Sequence, residues 1–201
     1  MGLIIGVTGG VACGKSTVSA ILSDRFSMEA VDSDQLAKRL MEEDQNIRKS
    51  IETEISPLAY GRDGRPDRSW LREAIFSDPC IRDRLNAIVH PVVRECWMSR
   101  VRECRLKNGG ILVEIPLLYE VSAAAYFDEV VVVGASPITQ VQRLVKERGI
   151  SELLAWKMLA SQQNLSDKID RGSRVLWNDT DLNTLKRQAD YLAALLLKTP
   201  V

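Results

Sequence analysis

The sequence predicts an α/β fold built on a parallel sheet, and three observations carry that expectation. Short apolar runs alternate with stretches of helical periodicity along most of the chain. One run, Val130 to Val133, is apolar throughout, the pattern of a strand buried on both faces. Another, Leu3-Ile4-Ile5-Gly6-Val7, passes through a glycine-rich turn into a segment with Val18, Ile21 and Leu22 at helical spacing. At 201 residues the chain suits one such domain, with room for a helical insertion.

The turn after the first strand is Gly9-Gly10-Val11-Ala12-Cys13-Gly14-Lys15-Ser16, followed by Thr17. It fits G-x-x-x-x-G-K-[ST], a P-loop, and stands between a strand and a helix, as that mechanism requires. Successive backbone N–H groups of such a loop point inward and cradle an anion, and the helix N-terminus adds partial positive charge. Lys15 would reach the β- and γ-phosphates, and the Ser16 hydroxyl would ligate Mg²⁺. Nucleotide binding is therefore expected, but the motif does not select a reaction.

The first helix, Ser16 to Phe26, leads into Ser27 to Val31, read as a second strand ending at Asp32-Ser33-Asp34. Ligands of parallel α/β sheets bind beyond the carboxyl ends of strands, so Asp34 is a candidate catalytic acid. Its structural alternative is an N-cap of the next helix, which places Leu36, Ala37, Leu40 and Met41 on one face. Residues 44–108 are polar, charged and mostly helical, with a loop from Tyr60 to Arg68. Arg62, Arg65 and Arg68 there either meet an anionic substrate or are solvated loop charge. A helix is expected from Ser69 to Phe76. A long one follows Asp78-Pro79, broken or kinked at His90-Pro91, where proline removes a backbone donor.

Asn108-Gly109-Gly110 turns into a third strand, Ile111 to Pro116, with Glu114 near its end as an acid that could act on Mg²⁺ through water. The fourth strand, Val130 to Val133, precedes a helix that starts at Ser136-Pro137. Ile138, Val141, Leu144 and Val145 would face inward, with Gln140, Arg143, Lys146 and Glu147 on the polar face. Gly149 stops that helix, and a second runs from about Ser151 to Gln162. Two consecutive helices with basic residues suggest a lid over the phosphates. Arg174 to Trp177 forms a fifth strand ending at Asn178, and Leu182 to Leu197 a closing helix.

The expected architecture is a P-loop NTPase fold over residues 1–201: a five-stranded parallel sheet flanked by helices, with a helical substrate-binding insertion and a helical lid. The nucleotide-binding core would take about 1–33, 109–139 and 173–201, the acceptor-binding region about 34–108, and the lid about 140–172.

Composition narrows the partners. Twenty-seven basic and 27 acidic residues leave no net charge, which argues against a broad nucleic-acid or membrane-binding surface. No apolar run approaches membrane-spanning length, and the N-terminus enters a core strand instead of a signal peptide. Cys13, Cys80, Cys96 and Cys104 form no C-x-x-C pair, and His90 is the only histidine. A structural zinc site is not expected, and the cysteines read as reduced thiols of a cytoplasmic protein. Nothing in the sequence sets an oligomeric state.

Several landmarks together resemble the dephospho-coenzyme A kinase family. They are Thr8-Gly9-Gly10 through Lys15-Ser16-Thr17; Asp32-Ser33-Asp34 with Ala37; and Gly64, Arg68, Leu71 and Phe76. Further along come Leu85-Asn86-Ala87 with His90-Pro91, then Pro116-Leu117-Leu118 with Glu120. Gln140, Arg143, Gln162, Lys168 and Asn178 complete the ordered set, which covers nearly the whole chain. The resemblance implies ATP on residues 9–17, with Lys15 on the phosphates and Ser16 on Mg²⁺. It implies that Asp34 takes the proton from the 3′-hydroxyl of the dephospho-coenzyme A ribose as it attacks the γ-phosphate. Thr8, Arg68, His90, Pro91 and Leu117 would shape the acceptor site, Arg143 would meet the phosphates from the lid, and Asn178 would lie near the adenine.

The sequence departs from the family pattern in places. Lys38 replaces an arginine and loses its bidentate fork. Glu147 stands where a second lid arginine is usual, either reversing a charge meant for phosphate or forming a surface pair with Arg143. Near Gly172-Ser173 an alanine–aspartate pair is absent, and Trp177 precedes Asn178. Cys13 replaces a serine and would make the loop sensitive to thiol reagents. Two other readings remain: another small-metabolite or nucleoside kinase of this class, or a nucleotide-binding protein with weak catalysis. A guanine-specific switch is disfavoured, because there is no N-K-x-D motif.

Overall fold

A computed structural model describes residues 2–162 and 164–198. It divides into two compact units, Met1–Asp32 with Arg100–Val201, and Ser33–Ser99. The first unit holds five parallel strands: β1 (Ile4–Gly9), β2 (Glu29–Asp32), β3 (Ile111–Glu114), β4 (Glu129–Gly134) and β5 (Arg174–Trp177), in the order β2-β3-β1-β4-β5. The α-helices among the described residues are α1 (Lys15–Phe26), α2 (Ser33–Glu43), α3 (Gln45–Glu54), α4 (Arg68–Ser77), α5 (Pro79–Leu106), α6 (Pro137–Arg148), α7 (Glu152–Ala160), α8 (Leu165–Arg171) and α9 (Leu182–Lys198).

The apolar runs become strands because only a sheet buried on both faces accepts them. β1 lies between β3 and β4, with Val7 opposite Glu114 and Gly9 opposite Val133. The chain leaving β1 therefore enters the crevice where strand order switches direction, the usual ligand position in such sheets. Helices α1 and α9 pack together against the sheet. Val18 and Leu22 of α1, with Leu185, Ala189 and Leu192 of α9, join Ile5, Val7, Leu112, Val131 and Val133 in one core. Each fully buried branched side chain there contributes about 1.5–3 kcal/mol. A smaller cluster joins Val141 and Leu144 of α6 to Ala155 of α7.

Helix α6 departs from the expected facing. Val141 and Leu144 are buried, but Ile138 is 64% exposed and Val145 is exposed as well. Gln140, expected on the polar face, is buried instead, and its Nε2 donates to the Ala135 carbonyl at 2.8 Å. A buried amide is tolerated because it has that backbone partner. Helix α7 ends at Ala160, short of Gln162, and α8 follows as a helix not expected from the sequence. Its seven residues are too few for a periodic signal, and Asn164 caps it by accepting from the Ser166 N–H.

The second unit is helical, with one isolated bridge between Tyr60 and Pro66. Asp44 and Asp67 cap α3 and α4, each accepting two backbone N–H groups. Of the break or kink expected at Pro91, the break does not occur, and helix α5 continues through it. Leu85, Val89, Val93 and Trp97 are buried at four-residue intervals along it, and their packing outweighs the donor lost at proline. Helix α2 begins at Ser33, so Asp34 lies in its first turn and is not its N-cap. Among the described residues no helix is long and apolar enough to cross a membrane.

Candidate functional site

The P-loop takes its shape from close backbone approach. Gly9, at φ 143°, lies so near β4 that a Cβ would sit 2.0 Å from the Val133 carbonyl oxygen. Gly14, at φ 89°, stands at the N-cap of α1, where a Cβ would meet Asn178 Nδ2 at 2.5 Å. Neither position accepts another residue without movement. No side chain caps α1, and a helix N-terminus of this kind favours a bound anion. Lys15 Nζ folds back across the loop and donates to the Gly10 carbonyl at 2.9 Å.

Beneath the loop, Glu114 at the end of β3 accepts from Ser16 Oγ at 3.1 Å and from Ser19 Oγ at 2.9 Å. Glu114 is only 5% exposed. Burial pushes its pKa up; the Ser19 hydrogen bond, the Lys15 charge and the Ser16 hydrogen bond pull it down, and Asp32 adds to the rise. The cluster is a hydroxyl held by a carboxylate beside a lysine.

The opposite side of the loop is held from α6 and the segments after it. Arg143 Nη1 donates to the Ala12 carbonyl at 3.1 Å, and its Nη2 to the Asn178 carbonyl at 2.9 Å. Asn178 Nδ2 donates to the Cys13 carbonyl at 2.9 Å, and Gln162 Oε1 accepts from the Val11 N–H at 3.0 Å. Three consecutive loop residues are thus tied to side chains more than a hundred positions away. A cleft of about 430 Å³ opens beside Gly10, lined by Pro137, Gln140, Trp156, Leu159 and Gln162 among others.

A sequence model of the family described as dephospho-CoA kinase matches residues 3–184. The chain belongs to that family. It is 35% identical over 194 residues to a dephospho-CoA kinase of Bacillus cereus, covering 96% of each chain. It is 36% identical over 194 residues to one of Thermosynechococcus vestitus, covering 96% of this chain and 95% of that one. Among solved structures, TT1252 from Thermus thermophilus superposes with a TM-score of 0.78 at 32% identity, over 99% of each chain. A dephospho-CoA kinase from Campylobacter jejuni, at 21% identity, shares the fold with a TM-score of 0.71 over 98% of each chain.

The dephospho-CoA kinase positions named from the sequence are placed unequally. Residues 9–17, Arg143 and Asn178 come together, but the Asn178 side chain is buried and engaged with Cys13 and Arg143. Thr8 is fully buried, with Oγ1 donating to the Pro116 carbonyl at 3.1 Å, so it can act on a ligand only through that turn. Leu117, next in the turn, is half-buried. Cys13 is fully buried and its thiol pKa is raised, mainly by that burial, which argues against the expected sensitivity to thiol reagents. Arg143 grips backbone carbonyls in place of the surface pair with Glu147, which is exposed.

In the second unit Asp34 is exposed in the first turn of α2. Arg68 is exposed and donates to Glu42 Oε1 at 2.6 Å. His90 is half-buried; burial lowers its pKa, and the Asp34 charge partly opposes that. Pro91 is exposed beside it. Sequence reading missed Ser19, whose only signal is its position three residues after Ser16 on an apolar face. Gln140, Gln162 and Lys168 match the family pattern, yet nothing local shows that they turn inward.

Proposed function

We propose that the chain transfers the γ-phosphoryl group of ATP to the ribose 3′-hydroxyl of dephospho-coenzyme A, giving coenzyme A and ADP as the last step of coenzyme A synthesis. The observation that carries this reading is the family match across residues 3–184. A P-loop whose hydroxyl and lysine are already held in place supports it.

Phosphoryl transfer needs positioning and charge neutralisation more than covalent chemistry. Loop N–H groups and Lys15 would hold the β- and γ-phosphates. Ser16 Oγ and the Glu114 carboxylate, 3.1 Å apart, are hard oxygen groups that fit Mg²⁺, an ion that keeps water and phosphate among its ligands. The ion, when bound, neutralises phosphate oxygens. Ser16 would hold it directly, and Glu114 would orient Ser16 or reach it through water. Arg143 would exchange its carbonyl partners for phosphate as the 140–172 lid closes.

On the acceptor side, Asp34 would accept the 3′-hydroxyl proton while that oxygen bonds to the γ-phosphorus and the bond to the ADP oxygen breaks. His90, whose pKa burial lowers, suits a hydrogen bond to the acceptor more than a phosphate pair. Arg68 is tied to Glu42 by an exposed pair worth at most about 1 kcal/mol, which an anionic acceptor can displace. Pro91 and Leu117 would supply apolar wall. Soluble substrates suit a cytoplasmic enzyme, and the even charge balance suits one with no nucleic-acid or membrane partner. The test is ADP formation from MgATP with and without dephospho-coenzyme A. Acceptor-dependent turnover is expected; stimulation by other nucleosides but not by dephospho-coenzyme A overturns the reading.

A further inference from the structure

Lys168 of α8 is a charged side chain with no exposed surface. Its Nζ donates to the Pro116 carbonyl at 2.8 Å and lies 2.8 Å from Glu120 Oε1. Burying an ammonium is costly even when it is paired, and a packed apolar residue would often serve stability as well. The Pro116 carbonyl also accepts from Thr8 Oγ1, the residue directly before Gly9 of the P-loop. One oxygen thus uses both lone pairs to join the turn after β3, the start of the loop, and α8. One helical turn beyond Lys168, the Arg171 guanidinium lies 4.3 Å from the centre of the Tyr119 ring. The same stretch begins at Gln162, which holds the Val11 N–H. Gln162 therefore grips the phosphate loop, and Lys168 and Arg171 of α8 grip the turn Pro116–Glu120.

We propose that Lys168 is a positioning residue that fixes the turn Pro116–Glu120, and with it Leu117, at a set distance from the P-loop. The effect on turnover rests on the reading of this turn as acceptor wall. Lys168 touches neither substrate; it sets the register between donor loop and acceptor wall. Misplacement on the scale of about 1 Å costs up to about 10²-fold in rate.

The test is Lys168→Met, read by hydrogen exchange of residues 116–123 and by steady-state kinetics with MgADP titration. Exchange of that segment should accelerate at least about tenfold, as expected for loss of a local restraint. The acceptor KM should rise at least about tenfold while the MgADP Kd stays within about twofold, a split that a general loss of folded protein does not give. Unchanged exchange in the folded variant overturns the clamp whatever the substrate. An acceptor KM within about twofold of wild type overturns the positioning role. If Lys168→Met does not fold, Glu120→Gln keeps an acceptor oxygen and removes the charge. It should raise the acceptor KM about threefold with faster exchange, and no change in both overturns the proposal. Wild-type protein that ignores dephospho-coenzyme A, with the exchange effect intact, refutes the functional reading and leaves the clamp standing.

Discussion

Ser16 Oγ donates to Glu114 Oε1 over 3.1 Å, joining the first turn of α1 to the carboxyl end of β3. Ser19, one turn along α1, donates to the other carboxylate oxygen at 2.9 Å. Ser19→Ala leaves a buried carboxylate oxygen without that donor. The expected cost is about 1–3 kcal/mol of stability, measured by urea unfolding. A weaker apparent Mg²⁺ affinity should accompany it, because Glu114 would hold Ser16 less firmly.

Asp34→Asn keeps the shape of the side chain and removes its basicity. Nucleotide binding should survive, and phosphoryl transfer should fall at least about 10²-fold, the lower end of general-base contributions. Titration with MgADP beside a turnover assay separates the two. Near-normal turnover removes Asp34 from the role of base.

Arg143→Lys cannot reach the Ala12 and Asn178 carbonyls with one planar fork. ATP affinity and kcat/KM for ATP should both drop. Glu147→Ala should change unfolding stability by no more than about 0.5 kcal/mol, because Glu147 is exposed and Arg143 is engaged elsewhere. A loss of ATP affinity in Glu147→Ala as large as that in Arg143→Lys contradicts this assignment.

Cys13 should resist alkylation in the native protein, since burial both shields the thiol and raises its pKa. Cys80, exposed, should label first. Mass mapping after brief iodoacetamide treatment checks the order, and equal labelling in native and denatured protein at Cys13 defeats it.

His90 has a pKa below the ordinary histidine value because burial disfavours the charged ring. The unfolded chain therefore binds more protons between the two values, and stability rises with pH across that window. Acidification from about pH 6.5 should destabilise the fold until the lower native pKa is passed. In His90→Gln that part of the acid sensitivity should vanish from unfolding midpoints measured across pH.

Strands β1 to β5 and helices α1, α4 and α9 are readable within a few residues, since apolar runs, 3.6-residue spacing and caps are properties of neighbours along the chain. The P-loop is legible for the same reason: its glycines and Lys15-Ser16 meet their mechanism within eight consecutive positions. Local spacing fails where packing chooses the face. Gln140 turns inward while Ile138 turns out, and α5 continues through Pro91, because distant partners outweigh local preference. The bonds of Ser19 to Glu114, Arg143 to Ala12 and Lys168 to Pro116 span 95, 131 and 52 positions. No window of the chain contains such pairs, and only the packed sheet brings each buried polar group to the partner that offsets its lost water.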